Sequence, residues 1–314
     1  MVLAAGAGPI TAPKLQKNAG APLWAILDGA SCPEMPQLVA ENGGVCLYRA
    51  DTPEDAPHAP WLIPVQPDMP IAEDLGVLGN IEHWGIVFAS DASERALRNH
   101  FRHFTMMWTS ADEQAPVYFR FYDPRVLGDA MQALPPKDLA HLLAPLTRVW
   151  VPVSPLLGGW TGLSPLAKTE VFRGHFLELA MPEEPAPEHP KAFPIMGQPY
   201  NEMTRLHAIR SRRKLARDLA NRFPNAPEQA ILTCAEHAPQ KAPNYGLVSV
   251  KHVGIFADAM MVFGPDFDTT EAEAAQILAR PAPVALAKAE ALQNWFNTAR
   301  AQKRARRQTS GAIS

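Results

Sequence analysis

The chain has 314 residues, of which 47% are hydrophobic and 19% charged, and its formal net charge is -3. That composition excludes an intrinsically disordered chain, and the near-neutral balance gives no bulk attraction to nucleic acid or to anionic lipid. The length favours two structural units, since single cores stop growing near ~250–300 residues, and 32 prolines, about twice the usual share of roughly 5%, predict long ordered connections.

In residues 1–20 the lysines follow a weakly apolar stretch, without a positive n-region or an apolar core. The segment reads as a disordered tail and not as a secretory signal. Strand-like runs follow at 23–27, 44–48, 61–65, 84–89, 117–122 and 148–152, interleaved with helical and proline-rich stretches. That order predicts an α/β lobe with a mixed sheet over residues 21–178. Leu23-Trp24-Ala25-Ile26-Leu27 is wholly apolar, as in a central strand covered on both faces, and Asp28-Gly29 follows as a turn. A helix is expected from Asp91, with Glu94 completing a capping box and Leu97, Phe101, Phe104 and Trp108 facing the sheet.

The run Phe119-Arg120-Phe121-Tyr122-Asp123-Pro124-Arg125 reads as strand, cap and helix. Alternation sets Phe119 and Phe121 against Arg120 and Tyr122, and Asp123 caps a helix that begins at Pro124. An arginine among aromatics needs an acid, because an unpaired buried charge costs several kcal/mol. Asp28, at another strand's end, is the candidate, which leaves Arg125 to meet a partner.

Proline and glycine are dense between 151 and 200, where a short strand at 170–177 is still expected. Residues 179–200 are read as a Pro-rich linker, 201–298 as a small all-helical lobe and 299–314 as a basic tail. In the helical lobe Ser249 caps a helix with a stripe of Val253, Phe256, Ala257, Met260 and Phe263, ended by Gly264-Pro265. Thr270 and Glu273 suggest a second capping box, and Leu286, Leu292, Trp295 and Phe296 a last helix.

The residues offer little chemistry. Cys32, Cys46 and Cys234 have no CxxC spacing, which fits a reducing compartment. His100 and His103 share a helix face with His83 near, too few ligands to close a zinc site. Phosphate loops, nucleophile elbows and HExxH motifs are all missing, so no cofactor and no metal is expected. An alternative is a cytoplasmic hydrolase or transferase using Asp28, Asp123 and Arg125. The cations Arg205, Arg210, Arg212, Arg213, Lys214 and Arg217 form an acid-free run. It reads as a solvated helix face or as a docking surface for an acidic partner, in which Arg210, Arg213, Lys214 and Arg217 would take part. A second basic run, Arg300, Lys303, Arg304, Arg306 and Arg307, lacks the stacking aromatics of a nucleic-acid site. Met260 and Met261 suit bundle core or an adaptable groove. No run approaches the roughly 20 apolar residues of a membrane span, so a cytoplasmic protein without membrane or nucleic-acid partners is expected.

Taken together, a chain that opens "LWAILDGA", continues through "HWGIVFAS" and reaches "FRFYDPRVL" resembles the DUF4123 family over residues 22–150. The stretch "YGLVSVKHVGIFADAMMVFGPDFDTTEAEAAQIL" is similar, more loosely, to the helical lobe that follows in such proteins. The resemblance implies a non-enzymatic adaptor chaperone of bacterial type VI secretion, whose partners would be a cognate secreted effector and a VgrG-type spike protein.

Overall fold

A computed structural model describes residues 2–4, 8–48, 50–67, 71–72, 75, 78, 82–110, 112–157, 159–185, 193–281 and 285–311. The chain divides into two compact units, Met1–Arg210 and Ser211–Ser314.

The first unit opens with β1 (Ile10–Thr11), α1 (Ala12–Asn18) and β2 (Leu23–Asp28). Next come α2 (Met35–Asn42), β3 (Val45–Cys46), β4 (Pro60–Val65), β5 (Gly85–Ala89) and α3 (Glu94–Arg102). β6 (Met106–Thr109) and β7 (Asp112–Tyr118) form a separate ribbon. α4 (Pro124–Ala133), α5 (Pro136–Leu143), β8 (Arg148–Pro152) and β9 (His175–Glu178) complete the unit, up to α6 (Gly197–Arg222), inside which it ends.

Seven strands make one sheet in the order β1-β9-β8-β5-β2-β4-β3, and every described pairing in it is antiparallel. β2 lies inside, with Ile26 opposite Leu62 on one side and Ile86 on the other. Its alternation splits two cores. Ile26 packs with Phe88, Leu97, Phe101, Leu127 and Leu142, the layer of α3, α4 and α5. Ala25 and Leu27 pack with Leu15, Met35, Leu38 and Trp150, the layer of α1 and α2. Burial on both faces explains the uninterrupted apolar run, which antiparallel sheets otherwise replace by polar alternation. Phe101 stacks on Phe121 at 5.2 Å and meets Phe88 edge-on at 5.5 Å, so the helix layer is keyed to the sheet by aromatic contacts.

Several expectations need correction. Residues 10–18 are not a loose tail, for β1 pairs with β9 and α1 buries Ala12 and Leu15 in the second core. The helix of the HWGIVFAS region starts after Ser93, whose Oγ accepts from the Ala96 amide, and not at Asp91. It ends at Arg102, so Trp108 stands 45% exposed on β6, a Met- and Trp-rich segment that suits an open ribbon. β7 stops at Tyr118. From Phe119 the chain turns, the Asp123 amide donating to the Arg120 carbonyl, so Phe119, Phe121 and Tyr122 are all buried where alternation put Tyr122 opposite the two Phe. Within the expected linker Ile195 is buried and donates its amide to the Trp108 carbonyl, while residues 186–192 lie outside the described residues. The first unit ends at Arg210 and the second begins at Ser211.

The second unit holds the rest of α6, then α7 (Glu228–Lys241), α8 (Val250–Phe263), α9 (Phe267–Thr270), α10 (Ala272–Ala279) and α11 (Ala285–Gly311). Ser249 Oγ caps α8 by accepting from the His252 amide, and Gly264 ends it with φ of 102°. Phe256, Ala257 and Met260 are core, where Phe256 packs on Phe267 at 4.8 Å. α10 has no side-chain cap, so the Thr270–Glu273 box does not form; Glu271 stands at its N-cap. α11 carries regular helix through the stretch expected to be a frayed tail, held at Lys303 by the Val262 carbonyl 2.7 Å away. The side chains of Arg304, Arg306 and Arg307 lie outside the described residues. Among the described residues no single helix is long and apolar enough to cross a membrane.

Candidate functional site

β2 delivers Asp28 to the end of the sheet, fully buried. Its Oδ1 accepts from the Ala30 amide at 3.2 Å, and its Oδ2 accepts from Ser31 Oγ at 3.0 Å and from Arg120 Nη2. The carboxylate is thereby saturated by donors, which meets the cost of burying it. Gly29 is required next to it: a Cβ there would stand 2.4 Å from the Pro57 carbonyl oxygen and 2.7 Å from that of Ala59. The Asp-Gly pair thus closes a turn against the 57–59 loop, with the Gly29 amide donating to Ala59 O.

Asp123 caps α4 through the Arg125 amide, 2.9 Å away, and it is buried. The Arg125 guanidinium folds back onto the same carboxylate, Nη2 at 2.6 Å and Nε at 2.9 Å. Burial pushes the Asp123 carboxyl up, but Arg125's hydrogen bonds and charge outweigh it and hold it below the usual carboxylate range. Arg125 is therefore occupied inside the unit, contrary to its expected role as the residue left for a partner. Arg120 also lies 3.8 Å from Asp123, so the two aspartates and two arginines form one joint between the ends of β2 and α4, with Pro124 at the first helical position.

A second joint was missed. Asp129, buried on α4, binds Arg210 Nη1, which also donates to the Arg125 carbonyl at 3.1 Å. Arg210, expected in a docking surface, is thus only 11% exposed and holds α4 within the first unit. The available signal was an acid beside Leu127 and Ala130 on a buried helix face, which needs a cation from elsewhere. Three further cations of the run also find acids: Arg205 on Glu202 at 2.6 Å, Arg212 on Glu236 at 3.0 Å and Lys214 on Asp218 at 2.7 Å. Arg213 and Arg217 are half-buried and hold interactions of their own. The run that is acid-free in sequence is not acid-free in space.

Among the described residues no group of three or more His, Cys, Asp or Glu is placed to hold a metal. His100 is buried with Nε2 2.9 Å from the Leu142 carbonyl, and burial pushes its pKa below the ordinary value. The three cysteines are free and buried, and burial pushes the Cys32 thiol up to about 12.

Beside the first joint opens a cleft of about 410 Å³, lined by Tyr48, Tyr118 and Tyr122, by Arg120, and by the 56–59 loop with Pro57 and His58. Tyr48 and Tyr122 share a hydrogen bond between their hydroxyls at 3.0 Å, and the Tyr48 and Tyr118 rings pack 5.6 Å apart. Of this lining, Arg120 and Tyr122 belong to the run singled out from the sequence, and Tyr48, Tyr118 and the 56–59 loop do not. Tyr118 leads directly onto the ribbon, where it stands opposite Met106, and Met106, Trp108, Val117 and Tyr118 are all exposed.

Fold and site together define an α/β unit on an antiparallel sheet, its strand and helix ends tied by buried ion pairs and an aromatic cleft open beside them. Residues 23–141, from the start of β2 into α5 and including the first joint and the cleft, match the model of DUF4123, a domain of unknown function. No curated protein and no solved structure matches the chain.

Proposed function

We propose that the chain is a non-enzymatic adaptor that binds a cognate type VI secretion effector and loads it onto a VgrG-type spike protein in the cytoplasm. The observation that carries this is the DUF4123 match over residues 23–141, the segment that holds the joint and the cleft. The geometry supports it in two ways. Asp28 and Asp123, the carboxylates an enzyme would need, are buried and saturated by Arg120, Arg125, Ser31 and backbone amides, which makes them structural links between elements. Four of the eight exposed large hydrophobic side chains among the described residues, Met106, Trp108, Val117 and Tyr118, lie on one ribbon, and clustered exposed apolar groups mark interaction sites. Release of cargo calls for an interface of moderate size that is partly polar, as this tyrosine-rich surface is.

The test is a deletion in a bacterium that carries the gene. Delivery of the effector should cease while secretion of the spike persists, and both should return with the wild-type gene. Unchanged effector delivery would refute the adaptor role.

A further inference from the structure

We draw no further inference here: the strongest candidate, the surface patch of exposed Met106, Trp108, Val117 and Tyr118 on the β6–β7 ribbon beside the tyrosine cleft, carries nothing beyond the adaptor reading because nothing in the structure shows what covers it.

Discussion

Replacing Asp28 by asparagine removes the charge but keeps one carbonyl oxygen to accept from the Ala30 amide, while its NH2 takes the place of the oxygen that accepts from Arg120 and can instead donate to Ser31 Oγ, so the change falls chiefly on the pairing with Arg120. Breaking a fully buried pair costs about 3–5 kcal/mol, and a surface pair about 0–1. Here Asp28 is fully buried, but the Arg120 side chain is 36% exposed and keeps Asp123 at 3.8 Å, so the stranded cation is partly rehydrated and partly paired. The expected loss lies between those limits, about 2–3 kcal/mol, or roughly 4–12 °C in the melting temperature of a unit of this size. Calorimetry on Asp28→Asn, Arg120→Met and the double variant measures it. The double variant should lose less than the sum of the singles by about 1 kcal/mol or more, because the second change removes the group stranded by the first. A fall below about 2 °C for Asp28→Asn, or strict additivity, would refute the joint.

Asp129→Ala leaves Arg210 buried and without its carboxylate, and should cost about 3–5 kcal/mol in denaturant unfolding. A loss under 1 kcal/mol would return Arg210 to the surface role expected from sequence. His100 is neutral in the fold because burial depresses its pKa below 6.5, so the unfolded chain binds more protons on acidification. Stability should therefore fall as pH drops below about 6.5, and the slope should flatten in His100→Gln in melting curves from pH 7.5 to 5. Asp123 behaves in the opposite sense from most buried acids: its pKa is depressed, so its contribution persists above the ordinary carboxylate value and is lost only as pH falls below about 4. Gly85→Ala should cost about 3 kcal/mol or more in chemical denaturation. Its Cβ would stand 1.9 Å from the Ile26 carbonyl oxygen, at a φ of 155° that side chains rarely adopt.

Local chemistry was legible where one residue's need could be met by one kind of partner. Arg120 among aromatics demanded an acid, and Asp28 binds it although residues 119–122 are not a strand. Asp123-Pro124 announced its helix for the same reason, since cap and first-turn proline act on neighbouring backbone. Pairings over long separations were not legible. Asp129 and Arg210, or Arg212 and Glu236, meet only because distant segments pack side by side, so a run without local acids looked free. The ribbon was hidden for a different reason. Leu97, Phe101, Phe104 and Trp108 fit helical spacing, yet the helix stops at Arg102, so the spacing predicts a buried Trp108 where the ribbon exposes it beside Tyr118. The order of residues 10–18 depends on β9, some 165 residues later, which no local pattern reveals.

The adaptor role is tested most directly by co-expressing the tagged, full-length protein with the products of its neighbouring genes and isolating it under mild salt. An adaptor should bring down an effector together with a spike protein, in a complex that loses the effector or the spike when Tyr118 and Trp108 are both changed to serine. Recovery of neither protein would contradict it.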